Sequence, residues 1–250
     1  MKTEHRQSFR VRSYETDHQG RLQAPVLCRL LQEAATVHAA GLGVAVESLI
    51  ESGVAWVLTR LELRMQRWPG VDDVVAICTW PEAMNRLTTE RRFAILGPDG
   101  STLGSATTLW LVLDLSRRRP VRIPGWIAEM RTDHDLGSQP IRPRELKLPE
   151  TIGGMSEFTV RRRDLDSAGH VNNTSFVEWV VESAPDGVWA THELAELEIG
   201  YRSECHLGQT IESRFLSRTD DNGGTEMLHQ LVRRDDGDEV ARARTLWKLP

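Results

Sequence analysis

The chain has 250 residues, 40% of them hydrophobic and 27% charged, with a formal net charge of −5. That balance belongs to a globular protein of one large or two small domains, and the negative sign argues against general nucleic-acid binding. No apolar run is long enough to span a bilayer, and Met1 to Ser8 lack the apolar stretch of a signal peptide. Cys28, Cys78 and Cys205 make neither a metal spacing nor a disulfide framework, so a reducing cytoplasm is the default expectation.

In chain order, the first polar cluster is Tyr14-Glu15-Thr16-Asp17-His18-Gln19-Gly20-Arg21-Leu22. Leu27, Leu30, Leu31, Ala34 and Val37 then recur at helical spacing, and Gly41 and Gly43 end that helix. Residues 54–65, 74–80, 88–96 and 103–113 are rich in β-branched and aromatic types and predict strands, with Pro98-Asp99-Gly100 as a hairpin turn. Prolines and charges dominate 116–154, which predicts a linker with a short helix near 126–130.

The second half repeats this plan. Arg163-Asp164-Leu165-Asp166-Ser167-Ala168-Gly169-His170-Val171-Asn172-Asn173 precedes a helix with Phe176, Trp179, Val180 and Ser183 on one face. Ser175-Phe176-Val177-Glu178 has capping-box form, the true start lying up to a turn earlier, and Pro185 stops the helix. Strands are expected at 195–202, 210–217, 225–233 and 239–248, with turns at Asp221-Asn222-Gly223-Gly224 and Asp235-Asp236-Gly237.

The two halves align. A shift of 149 residues lays Asp17 on Asp166, Gly20 on Gly169 and Glu33 on Glu182. A shift of 136 lays Leu61-Glu62-Leu63 on Leu197-Glu198-Ile199, and one of 137 lays Thr108-Leu109-Trp110 on Thr245-Leu246-Trp247. Self-similarity at this range means two copies of one fold rather than a solenoid. The fold class read from the sequence is α+β, two units of a helix and a long antiparallel sheet: residues 1–115, a linker 116–154, and residues 155–250.

The copies differ where chemistry can occur. The second keeps Asp166 and His170 together; in the first, Arg21 stands in place of the histidine. Taken singly, Asp166, Asn172 and Asn173 read as turn or cap residues and His170 as a structural histidine. Trp56, Trp68, Trp80 and Trp110 read first as core. Basic clusters occur at Arg91-Arg92, Arg117 to Arg119 and Arg161 to Arg163.

The chain resembles the acyl-acyl carrier protein thioesterases of plants and bacteria, in the hotdog superfamily. The resemblance rests on Val57-Leu58-Thr59-Arg60, Arg67-Trp68-Pro69, Asp73-Val74-Val75, Thr79-Trp80, Leu109-Trp110 and Arg117-Arg118 with Ile123-Pro124 in the first half. In the second it rests on Asp164-Leu165-Asp166, His170-Val171-Asn172-Asn173 and Tyr201-Arg202-Ser203-Glu204-Cys205. It implies a tandem (double) hotdog whose C-terminal half is catalytic and whose N-terminal half shapes the acyl pocket. It implies hydrolysis of fatty acyl-acyl carrier protein to free fatty acid, without metal or organic cofactor, by a monomer or homodimer. Carried over by position, the catalytic groups are Asp166, His170 and Glu204, and Trp68 lies where Glu204 does. Many members have Asn where this chain has Ala168, which brings Asp-Ser-Ala-Gly-His closer to acyl-CoA thioesterases of the same fold. An acyl-CoA thioesterase and a non-catalytic acyl-binding hotdog protein are therefore the alternatives.

Thioester hydrolysis needs an activated water, a stabilised oxyanion and a protonated leaving thiol. Glu204 is the expected base, its pKa raised by burial beside the acyl chain. Asp166 is expected to orient the water or His170, with base or nucleophile as its other possible roles. Backbone N–H groups around Gly169, Val171 and Asn172 are expected to receive the oxyanion. Cys205 reads as a small buried neighbour rather than a nucleophile. The acidic carrier and its phosphopantetheine arm suit Arg161, Arg162 and Arg163 as docking candidates, with Arg117 to Arg119 second.

Overall fold

The computed structural model describes residues 4–128, 145–148, 150–219 and 223–250. The core of the expected linker, the end of its short helix at Met130 and the turn residues Asp221 and Asn222 lie outside them. The chain divides into two compact units, Met1–Leu61 with Gln66–Pro143 and Glu62–Met65 with Arg144–Pro250.

The first unit contains β1 (His5–Arg10), α1 (Ala24–Gly41), α2 (Val46–Glu51), β2 (Val54–Met65, as far as Leu61), β3 (Val74–Met84), β4 (Thr88–Leu96), β5 (Thr102–Asp114), β6 (Arg119–Val121) and α3 (Gly125–Ala128). Its sheet runs β1-β3-β4-β5-β2, with β6 beside β5. The β4–β5 hairpin closes where Pro98-Asp99-Gly100 predicts a turn. Gly97 N–H donates to the Ser101 carbonyl at 2.8 Å, and Gly100 has the left-handed φ of +82° that a side chain would strain.

Helix α1 packs on β1 and β3. Its buried face is Leu27, Leu31, Ala34, Ala35 and His38, whereas Val37 is exposed. Eleven residues make three turns, so position 38, not 37, returns beneath Leu27. The buried His38 imidazole meets the Arg91 guanidinium at 3.1 Å.

The second unit contains β7 (Gly154–Thr159), α4 (Asn173–Glu182), α5 (Asp186–Thr191), β8 (Glu193–Tyr201), β9 (Thr210–Thr219), β10 (Thr225–Arg233) and β11 (Glu239–Lys248). Its sheet order is β8-β11-β10-β9-β7. Phe176, Trp179, Val180 and Ser183 are all buried, as the helical spacing requires, and the Phe176 ring meets Trp179 and Tyr201 edge-on. The Ser183 hydroxyl donates to the Trp179 carbonyl at 2.6 Å, which satisfies it inside the core. Pro185 does more than end α4: it is the residue that caps α5. Gly154 faces Phe215 across β7 and β9, where a Cβ would overlap the aromatic ring.

His229, on β10, is fully buried, and burial pushes its pKa down to about 3. Its Nε2 lies 3.1 Å from Thr245 Oγ1, which also accepts from Trp247 Nε1 at 2.9 Å. Nδ1 has no partner among the described residues. The unfolded chain binds this proton from about pH 6.5 downward, while the folded chain refuses it until near pH 3. The contribution to stability is therefore complete above the unfolded value and is lost progressively as pH falls towards 3. At about pH 5 the loss amounts to about 2 kcal/mol. Urea midpoints measured from about pH 7.5 to 5 should fall accordingly. His229→Leu should flatten that slope, and an unchanged slope in the variant would refute this assignment.

Candidate active site

The loop before α4 is built by hydrogen bonds that its own residue types supply. A single 3-10 turn spans Arg162–Asp164. The buried Asp164 carboxylate accepts from Arg161 N–H at 2.7 Å, and its carbonyl accepts from Asn172 N–H at 2.7 Å. Leu165 and Val171 pair as an antiparallel bridge, closing the segment between them into a narrow turn. Within that turn Asp166 Oδ1 accepts from Ala168 N–H at 2.9 Å and His170 N–H at 3.1 Å. Gly169 supplies the φ of +81° that reverses the chain. Asn172 then caps α4, accepting from Thr174 N–H at 2.9 Å. The backbone of His170 is thus fixed at both ends, its N–H on Asp166 Oδ1 and its carbonyl accepting from Asp166 N–H at 2.8 Å.

Glu204 reaches the same place from the segment after β8. The Val171 N–H donates to the Cys205 carbonyl at 2.9 Å, clamping the two segments together. Arg233, its side chain nearly buried, donates to the Glu204 carbonyl at 2.8 Å and to Asp236. His170 Nε2 and Glu204 Oε2 stand 3.7 Å apart, with side chains 37% and 45% exposed. The His206 ring meets His170 edge-on at 5.3 Å, and donor atoms of His170, Glu204 and His206 all lie within 4.8 Å of one another. His206 is absent from the expected set. Its signal is spacing: in extended chain residues 204 and 206 share a side, and Cys205 between them turns inward and is buried.

The first unit carries the same loop without the chemistry. Asp17 Oδ1 accepts from Gln19 N–H at 2.9 Å and Arg21 N–H at 3.0 Å, Thr16 pairs with Leu22, and Gly20 has φ +78°. Leu22 N–H donates to the Pro69 carbonyl at 2.8 Å, as Val171 does to Cys205. This equates Pro69 with Cys205, Trp68 with Glu204 and Gly70 with His206. Arg21 folds back onto its own Asp17 at 3.2 Å. The first copy thus keeps the turn and adds an Asp17–Arg21 ion pair.

Three expectations change. The N–H groups proposed for the oxyanion are committed: Gly169 to the Asp166 carbonyl at 3.1 Å, Val171 to Cys205 and Asn172 to Asp164. These bonds build the loop, so the donors are spent on its geometry. Glu204 is exposed rather than buried, because Cys205 takes the inward position in that segment. Of the arginines, Arg163 is engaged by Glu178 at 3.1 Å, while Arg161 and Arg162 are exposed. Burial raises the Cys205 thiol to about 11, which keeps it protonated and supports its reading as a packing residue. The tryptophans fit their core reading at Trp80, which is buried and donates to Glu82 at 2.6 Å.

The family model of the acyl-ACP thioesterase N-terminal domain matches residues 2–130, and that of the C-terminal domain matches residues 149–249. The chain is similar to an acyl-[acyl-carrier-protein] hydrolase of Cuphea viscosissima, 29% identical over 97% of this chain and 61% of the relative. It is similar to a palmitoyl-acyl carrier protein thioesterase of Gossypium hirsutum, 30% identical over 97% of this chain and 63% of that one. It thus spans less than two thirds of either relative's length. Among solved structures, the 12:0-ACP thioesterase from Umbellularia californica superposes with a TM-score of 0.85 at 26% identity, covering 99% of this chain and 95% of that one. Each of the two units is a helix on an antiparallel sheet, and the fold is the α+β double hotdog. Matched in both halves and in order, the chain belongs to the acyl-ACP thioesterase family.

Proposed function

We propose that this chain hydrolyses fatty acyl thioesters of acyl carrier protein to free fatty acid and carrier thiol. The observation that carries the reading is the 3.7 Å approach of His170 to Glu204 on two clamped segments, in a chain of this family. Glu204 takes a proton from water, and the hydroxide adds to the thioester carbonyl. With the loop N–H groups committed, the oxyanion falls to His170 Nε2 and the positive end of α4. The carbon–sulfur bond then breaks, and the proton held by Glu204 passes to the departing thiolate. Asp166 serves as a positioning residue for His170. The working form is taken as a monomer or homodimer in a cytoplasm, the setting suggested by the sparse cysteines.

The acyl-CoA reading is kept because Ala168 offers only a methyl group at the turn. Thiol release from one acyl chain on acyl carrier protein and on CoA separates the two. Turnover on neither carrier by folded protein would favour a non-catalytic acyl-binding protein. If Arg161 and Arg162 receive the acidic carrier, replacing both by Glu lowers kcat/KM for acyl carrier protein about tenfold at low salt. Hydrolysis of acyl-CoA should fall less, and an equal fall on both carriers would remove these arginines from docking.

A further inference from the structure

Hydrolysis as proposed uses His170 and Glu204 and leaves His206 without a task. Its backbone is fixed, since His206 N–H donates to Gln209 Oε1 at 2.8 Å and Gln209 N–H returns to the His206 carbonyl at 3.2 Å. The imidazole is exposed and directed at His170. Two imidazoles and a carboxylate, with donor atoms within 4.8 Å of one another, are the donor set that borderline divalent cations select.

We propose that His170, Glu204 and His206 form a binding site for a zinc-class divalent cation, and that the cation switches hydrolysis off. A tetrahedral centre with bonds of about 2.0–2.1 Å needs donors about 3.4 Å apart. The His170–Glu204 pair at 3.7 Å is already close to that. The remaining closure falls to the exposed side chains of Glu204 and His206, which turn without disturbing the core. Three protein donors leave one coordination position for water. In the first unit, the equivalent positions hold Arg21, Trp68 and Gly70, none of which is a ligand.

The inhibitory consequence rests on the function proposed above; the binding does not. Coordination occupies the Glu204 lone pair that would take the proton from water, and the His170 nitrogen that would meet the oxyanion. A cation beside the carboxylate also lowers its basicity.

The test uses untagged, chelator-treated full chain with Co2+ and Zn2+ as probes. Co2+ should give the intense visible absorption of a tetrahedral nitrogen–oxygen site in wild type and not in His206→Ala. Zn2+ should raise the thermal midpoint of wild type, as a ligand of the folded state must, and leave the variant unmoved. On acyl-acyl carrier protein, each protein is compared with its own metal-free rate. Half-inhibition by Zn2+ should require at least about 10- to 100-fold more metal in His206→Ala, a shift that second-shell losses alone produce elsewhere. His206→Gln, nearer in size, guards against a packing effect and should behave like Ala. Absence of the Co2+ signal in wild type, or an equal signal in the variants, overturns the site. Binding with unchanged or faster hydrolysis overturns the switch. If no acyl thioester is hydrolysed, the hydrolytic reading and the switch fail together, while the spectrum and thermal shift still decide the site.

Discussion

Replacing Glu204 by Gln should lower kcat for thioester hydrolysis by about 100- to 10,000-fold, the range expected when a positioned general base is lost. Gln keeps the length and shape of the side chain but cannot accept a proton from water. The substitution is conservative structurally, because the segment is held through main-chain atoms: Arg233 binds the Glu204 carbonyl and Val171 the Cys205 carbonyl. The side chain is 45% exposed, so stability should change by no more than about 0.5 kcal/mol. Single-turnover thiol release is the measurement, since it isolates chemistry from product release. A loss smaller than tenfold in folded protein would move the base elsewhere, with Asp166 next in line.

The second large effect separates a chemical carboxylate from a structural one. Asp166→Ala should lower kcat about 100-fold, whereas Asp166→Asn should stay within about tenfold of wild type. The reason is that Asp166 Oδ1 accepts both the Ala168 and His170 N–H groups. Asn retains an oxygen for both bonds, and Ala retains none. Without them the His170 ring is free to shift, and a displacement of about 1 Å in a catalytic group is worth about 100-fold. Kinetics of the two variants on one acyl-acyl carrier protein decide it. If Asn is as damaging as Ala, the negative charge itself acts, on water or as a nucleophile, and the positioning role falls. Asp17→Ala in the first unit, which removes the matching bonds together with the Arg21 ion pair, sets an upper bound on what loss of such a turn costs in stability.

The strands were legible because most of them carry their own pattern. β2, β4, β10 and β11 span residues 54–65, 88–96, 225–233 and 239–248, the ranges expected from runs rich in β-branched and aromatic residues. β1 and β7 carry no such pattern, because their side chains alternate between half-buried and exposed, with few apolar residues. They lie at the ends of their sheet orders and exist as strands through pairing with β3 and β9. The buried face of α1 departs from its hydrophobic pattern by one position: hydrophobicity points to Val37, while the helical repeat buries His38.

The sequence by itself determined the duplication and the replacement of the histidine by Arg21 in the first copy, which follow from residue identity and order; Asp166, His170 and Glu204 became candidates through the resemblance to the family. Only the tertiary structure decided what each group is free to do. It set the loop N–H groups to work in the turn and turned Cys205 inward with its thiol held protonated. It left Glu204 beside His170 and brought His206 against both. The physical reason is that a donor can be spent only once, and which partner takes it depends on segments far apart in the chain. Val171 meets Cys205 across 34 residues, and Arg233 meets Glu204 across 29. No local pattern encodes those meetings.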